Sequence, residues 1–400
     1  MSLLALPFVA IATLKATTFE VAALGAADSV PLILLALPAG VWIDRVPRRP
    51  VMIAGDLGRA AALLSIPIAY ATGSLTIWQL YGVGFVTGAL TVFFDVASQS
   101  FLPAILERDL LAEGNAGLQV SAQGAQVSGP GLAGILIGAF GAPYATLADA
   151  LSFLGSAGFI SRIRHAEETA GRDDRRRMAT EIREGMRYVL RHPILRPNLA
   201  FTFTANIFNS ILFAVLLLFA VRHLGMSARQ IGLVLLLSNL GSLAGAFLVT
   251  RLQRRFGIGR VMLVAAFSGW ALLLIPLASG STGIALLALA LLGWGTGVVI
   301  YNTTSITIAQ ATTPDRLMAR MNASRRLVSW ATLPLATLLG GLLGTYLGLP
   351  TTVLIGAGGR ALAGLIILAS PVRSVRTLQD ADELVRPFNA SLEPQASPSQ

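Results

Sequence analysis

Apolar runs long enough to cross a bilayer recur along nearly the whole chain, and short polar turns separate them. At 1.5 Å per residue, roughly 20 apolar residues cover about 30 Å of hydrocarbon. Runs at 21–43, 51–72, 76–98, 117–140, 143–161, 198–221, 230–250, 261–279, 283–308, 327–347 and 350–370 meet or approach that length. The stretch Ser2–Leu14 reaches only about 20 Å as a helix, so it reads as the outer half of a first helix. A misassigned start and a genuinely shortened helix both account for it. No basic residue precedes it and no small-residue cleavage site follows, so the pattern predicts a helix and fits a signal peptide poorly. The pattern predicts an all-α membrane protein of twelve helices. Pro31, Pro38, Pro67, Pro130, Pro276 and Pro334 fall inside the runs, where neighbouring helices can re-satisfy the backbone.

Two polar segments divide the pattern. Arg162–Pro197 holds ten Arg and six acidic residues, and Met178–Leu190 within it has the make-up of a short amphipathic surface helix. The tail beyond Arg373 is polar and ends in Pro, Ser and Gln, which predicts disorder after Pro387. The expected organisation is therefore a helical bundle over 1–161, a basic linker over 162–197, a second bundle over 198–370 and a partly disordered tail over 371–400.

The chain also repeats. Glu107–Ala116 aligns with Pro314–Ala323 at an offset of 207 residues, which also sets Asp44 on Arg251, Arg48 on Arg255 and Asp95 on Asn302. Three loops agreeing at one offset predict two six-helix bundles related by a parallel repeat.

Composition narrows the function. The chain is 54% hydrophobic and 12% charged, with a mean hydropathy of +0.70, against about 25% charged in a soluble domain. The net charge of +10 sits in the short turns. With the Arg45–Arg49 turn inside, 25 basic residues fall in inner loops and 3 in outer ones. That asymmetry explains the charge without nucleic acid and places both termini in the cytoplasm. Cysteine is absent and Lys15 is the lone lysine, so thiolate chemistry and a Gly-Lys-Ser/Thr nucleotide loop are excluded. His165, His192 and His223 show no metal-ligand spacing. Hydrolytic or cofactor chemistry has no visible apparatus, and a membrane enzyme such as a lipid-modifying transferase is the weakest reading.

The turn Gly40-Val-Trp-Ile-Asp44-Arg45-Val-Pro-Arg48-Arg49 resembles the loop between the second and third helices of the major facilitator superfamily, with Pro47 where that family usually has Gly. Gly129-Pro130-Gly131-Leu-Ala-Gly134 resembles the Gly-Pro motif in the fifth helix of the superfamily's antiporters and drug exporters, with Ala133 replacing one Gly. Leu37–Asp56, Phe93–Ala116 and Ala148–Phe153 extend the likeness to the branch holding enterobactin-type siderophore exporters and macrolide or multidrug efflux proteins. The resemblance implies a major facilitator fold working as a monomer in the bacterial cytoplasmic membrane. It would export an amphipathic small molecule against proton entry by alternating access, without a cofactor. It further implies a gate, in which Asp44 faces a helix end of the other bundle and a turn arginine pairs with Asp95. A lipid or lysophospholipid flippase of the same fold would share every motif.

Charges inside the runs are the remaining candidates, since each is costly in lipid. Asp56 and Arg59 lie three apart and can pair. Asp28 and Asp149 lie in the outer parts of their helices with no adjacent base. Either suits proton coupling, and either could be a hydrogen-bonded or water-facing carboxylate instead. Arg360 lies midway along the last helix, to snorkel or to face an internal acid. Gln123, Gln126, Asn206, Asn209 and Asn302 are candidate cavity groups, which helix–helix hydrogen bonding explains equally well.

Overall fold

The computed structural model describes residues 2–43, 45–106, 110–163 and 175–390. Among them all regular structure is helical. The first group comprises α1 (Ser2–Phe8), continued by a π-turn at Val9–Thr13, then α2 (Thr18–Ile43), α3 (Arg48–Ala71), α4 (Ile77–Ile105), α5 (Leu111–Phe140) and α6 (Ala142–Arg162). The linker helix α7 (Arg175–Arg191) leads to α8 (Leu195–Leu218), continued by a π-turn at Phe219–His223. There follow α9 (Ala228–Phe256), α10 (Ile258–Ala266) with a 3-10 extension over Phe267–Leu274, α11 (Gly283–Thr312), α12 (Asp315–Ala331), α13 (Leu333–Tyr346), α14 (Leu349–Leu368) and α15 (Leu378–Ala390). Eight of these segments are long and apolar enough to cross a bilayer by themselves.

The two halves repeat in backbone detail. Leu14 N–H donates to the Val9 carbonyl and Ala16 N–H to the Ala10 carbonyl; 210 residues on, Leu224 donates to Phe219 and Met226 to Ala220. Between these bonds Lys15 and Gly225 both turn left-handed, at φ 52° and 64°. A reciprocal cap then opens each second helix, Thr17 with Glu20 and Ser227 with Gln230. The shared signature is a Ser/Thr followed three residues later by Glu/Gln.

The register of the repeat needs a correction at the Arg-rich turns. Pro47 and Gly257 cap the third helices, an offset of 210, so Arg48 corresponds to Ile258 and not to Arg255. Gly141 and Gly348, capping the sixth helices, restore 207. The lost residues come out of α10 and its extension. A 3-10 helix rises about 2.0 Å per residue against 1.5 Å, so this shorter segment still reaches about 30 Å.

Two further boundaries differ from the apolar runs. The eleventh span starts at Asp315, twelve residues early, and breaks at Thr332 ahead of Pro334, since proline cannot donate into the preceding turn. Its early turns are polar because they pack on α7, where Glu184 pairs with Arg320. The tail carries one helix before the stretch expected to be disordered: α15 buries Ala381 and Val385 completely, and residues 391–400 lie outside the described residues. Apolar residues four apart give α15 the single face that needs covering.

His192 shows how the linker is fixed. Its Nδ1 accepts the Ile194 and Leu195 N–H groups at 3.2 and 3.1 Å, capping α8 with an imidazole. Tyr188 and Phe388 of α15 pack their rings against it. Burial lowers its pKa to about 4, and only the neutral ring can accept those bonds. The unfolded histidine titrates near 6.5, so it binds its proton first as pH falls. The anchorage of α8 and α15 should therefore hold above about pH 6.5, weaken as pH falls toward 4, and level off below. The pH dependence of thermal unfolding in wild type against His192→Asn measures this, and parallel curves would refute it.

The cores report how the halves meet. Near the Leu14–Thr17 loop one continuous core joins Val9, Leu24 and Leu63 of the first half to Leu212, Phe219 and Leu291 of the second. Toward the Arg-rich turns the core splits. Ile43, Met52 and Phe101 pack within the first half alone, and Phe201, Met262 and Ile367 within the second. The bundles are sealed on one side and parted on the other.

Candidate functional site

Two seams make the seal. Along α2 and α13, Thr18 and Ala22 face Gly344 and Gly341; a Cβ on Gly341 would lie 2.4 Å from that of Ala22. Along α5 and α9, Gly134 and Gly232 cross so closely that a Cβ on either would stand 3.0 Å from the other's Cα. Arg222 closes the rim, donating to the Ala16 carbonyl at 2.5 Å. Beyond the seal α5 is exposed throughout from Gly117 to Gln126.

Between the parted halves lies a cavity of two adjoining lobes, about 570 and 610 Å³, which share Leu4, Phe213, Leu235, Leu291 and Trp294. Phe213 and Trp294 lie against each other with ring centroids 4.9 Å apart. The first lobe takes in Gln123, Gln126, Gly129, Pro130 and Asn302, so the α5 motif and the second-half counterpart of Asp95 share one wall. The second lobe takes in Asp28, Ser29 and Asn209. Asp28 is the single carboxylate among the described lining residues. Its place is set by α4, whose Gly88 has room for no Cβ: one would lie 2.2 Å from the Asp28 carbonyl oxygen. Asn209 Oδ1 and Trp294 Nε1 are buried with no protein hydrogen-bond partner. An orphaned acceptor and an orphaned donor on one cavity wall are places for a ligand to bond.

The other candidates fall elsewhere. Gly134 belongs to the seal. Asn206 sits one turn from Asn209 and bonds the Ser329 carbonyl at 3.4 Å, tying α8 to α12. Asp149, buried on α6, lies outside both lobes beside the Arg59 charge. Gly40 lies in the last turn of α2, with open space where a Cβ would stand. Asp44 lies outside the described residues. Arg49 donates to the Ile160 carbonyl at 3.2 Å and to that of Ser161, at the carbonyl-rich end of α6, where a cation is favoured. Arg45 and Arg48 flank it, with Arg48 half-buried. Asp95 is exposed on α4, and the cation acting on it is Arg59.

Arg59 is the residue whose importance the sequence understated. Its Nη2 meets Asp56 Oδ1 at 2.5 Å, its Nη1 meets Thr91 Oγ1 at 3.3 Å, and its guanidinium lies 4.4 Å from the ring centres of both Phe94 and Phe153. The same charge acts on Asp95 and Asp149. One buried cation thus serves three carboxylates on α3, α4 and α6. By the helix caps, Arg59 corresponds to Gly269 and Phe153 to Arg360. Arg360 packs on Gly269 and faces inward, bonding the Ala266 carbonyl at 3.0 Å where α10 gives way to 3-10 winding. Each bundle therefore buries one arginine at the same place, supplied by opposite helices. Arg59→Ala should destabilise the protein by about 3–5 kcal/mol, since Asp56 is left buried and unpaired. Thermal denaturation checks this, and adding Asp56→Ala should recover most of the loss.

Ser238, Asn239 and Ser242 on α9 complete the first lobe. Their only trace in the sequence is three polar residues within one turn of an apolar run. Asn239 donates to the Gln126 carbonyl at 2.7 Å.

Paired helical bundles around one central cavity, sealed at one end and parted at the other, define a membrane transporter and not an enzyme. A family model described as transmembrane secretion effector matches residues 8–396. The chain belongs to that family, within the major facilitator superfamily. It is 26% identical over 362 residues to the multidrug efflux pump Tap of Mycolicibacterium fortuitum, covering 86% of this chain and 85% of that one. Identity to the MFS-type transporter YvqJ of Bacillus subtilis (strain 168) is 24% over 349 residues, covering 85% and 81%. Among solved structures, a bacterial homologue of the iron transporter ferroportin in an inward-facing state superposes with a TM-score of 0.68 at 18% identity, over 91% of this chain and 94% of that one. A bacterial homologue of the lysosomal transporter Spinster, also inward-facing, gives 0.64 at 14% over 94% of each.

Proposed function

We propose that the protein is a secondary active exporter in the bacterial cytoplasmic membrane. It moves an amphipathic small molecule of drug or siderophore type outward in exchange for protons, by alternating access of the central cavity. The carrying observation is a largely apolar cavity walled by both bundles and holding one carboxylate, Asp28. With the Arg-rich turns cytoplasmic, the parted side faces the cytoplasm and the molecule stands ready to load. An ionised carboxylate in a low-dielectric cavity needs a neutralising partner. A proton and a cationic substrate can each serve, and each excludes the other, which is the logic of antiport. Phe213 and Trp294 offer faces for an aromatic or cationic ligand, while Asn209 and Trp294 Nε1 offer the orphaned bonds. The turn of Gly40, Asp44, Arg45, Arg48 and Arg49, with Asp95, is the matching inner gate. Arg49 then exchanges its hold on α6 for contacts across the closed mouth.

Proteoliposomes with an imposed pH gradient test this. Uphill flux of a lipophilic cationic dye, abolished when the gradient is collapsed, is the expected result. Translocation of labelled lipid without gradient-driven dye flux would assign the fold to a flippase instead.

A further inference from the structure

α11 has two working faces. Trp294, Val298 and Asn302 look into the central cavity, whereas Gly293, Thr296 and Ile300 line a second hollow of about 550 Å³ on the opposite side. That hollow lies between α9, α10 and α11 and has nearly all-apolar walls, including Phe256, Val264 and Ala265. Phe256 is 49% and Val264 74% exposed, so it opens outward to lipid and not toward the transport path. Small residues make the space: Gly293, Ala265 and Ser268 leave a groove that larger side chains would fill. At its mouth stands Arg260, the one charged lining residue. The adjoining turn carries Arg251, Arg254 and Arg255, with no acidic residue between positions 251 and 260. Among the described residues none of these four arginines has a recorded ion pair; Arg255 lies over the Phe256 ring instead.

We propose that this groove is a binding site for an anionic phospholipid of the leaflet on the Arg-rich side. One acyl chain lies along Val264, Thr296 and Ile300, and the phosphate sits at Arg260 within reach of the neighbouring arginines. The apolar trough fixes the chain, and the unneutralised cations select the head group. Both halves of the ligand's chemistry are thus matched at one place. The site is independent of the proton-coupled reading, because it uses no residue of the central cavity. Lipid bound here would brace α9 against α10 where the latter changes its winding.

The test is lipid retention by the purified, detergent-solubilised protein, read by mass spectrometry after exposure to equal phosphatidylglycerol and phosphatidylcholine. Phosphatidylglycerol should be retained preferentially. Arg260→Gln should lower that preference roughly fivefold, the worth of one basic side chain at an anionic surface, and Arg260→Lys should restore most of it. Val264→Trp, at an exposed position, should block the groove and lower retention of phosphatidylglycerol with all four arginines intact. Thermal unfolding of each variant establishes that it is folded. Equal retention of both lipids, or retention indifferent to both substitutions, would overturn the proposal. So would glycerol phosphate competing as well as the intact lipid, which would make the site one for a free anion.

Discussion

Asp28→Asn is expected to reduce proton-driven uphill export to background while leaving downhill exchange of the same substrate within about twofold. The asymmetry follows from where the carboxyl stands. Asp28 lies on the wall of the second lobe with Ser29 and Asn209, and among the described residues no cation pairs with it. Asparagine keeps the shape and most of the hydrogen bonding but holds no proton, so the substrate can still cross while the gradient has no handle. Asp28→Glu should recover part of the uphill flux. Asp149→Asn supplies the contrast, because Asp149 shares the Arg59 charge outside the cavity. Its expected defect is in stability, with coupling retained in whatever protein folds. Uphill flux surviving in Asp28→Asn would remove the assignment, and its loss only in Asp149→Asn would transfer it to the buried cluster. Proteoliposome flux at fixed protein density, with and without the gradient, reads all three variants beside the wild type.

The fold was legible because lipid allows so few solutions. Apolar runs of bilayer length, a lopsided distribution of arginine and a repeated loop suffice to predict paired six-helix bundles. What hid was everything decided by helix–helix register. The three-residue slip between the Arg-rich turns has no mark in the sequence until the 3-10 winding after Ala266 accounts for it. Arg59 looked like a local partner of Asp56 since three-residue spacing shows only its own helix. Nothing in the chain reveals that α4 and α6 bring two more carboxylates to it. The candidate polar residues were sorted for the same reason. Gln123, Gln126, Asn209 and Asn302 face the cavity and Asn206 does not, though Asn206 and Asn209 are one helical turn apart. The tail helix leaves one sign in a polar stretch, the four-residue spacing of Ala381 and Val385, which are the residues it buries.

The seal carries the second large effect. Gly134→Leu should drive the bundles apart along α5 and α9 and open the cavity from the side of the Leu14–Thr17 loop. The Cβ alone would stand 2.7 Å from the Ala228 carbonyl and 3.0 Å from the Cα of Gly232. Both are backbone atoms of a packed helix, which cannot rotate aside as a side chain would. Relief requires separating the two helices, and that is the motion by which this side opens in alternating access. The chain is free of cysteine, so Ser29→Cys in the second lobe is a reporter that needs no further engineering. In the otherwise native protein it should resist a membrane-impermeant maleimide applied from the Leu14–Thr17 side, and with Gly134→Leu it should react at least tenfold faster. Gly129→Leu, one and a half turns away with open space at its Cβ, should leave labelling from that side unchanged while narrowing the first lobe. If Gly134→Leu folds and its reporter stays protected, the seam between α5 and α9 is not what holds that side shut. The closing force would then belong to α2 and α13, where Gly341→Leu becomes the variant to make.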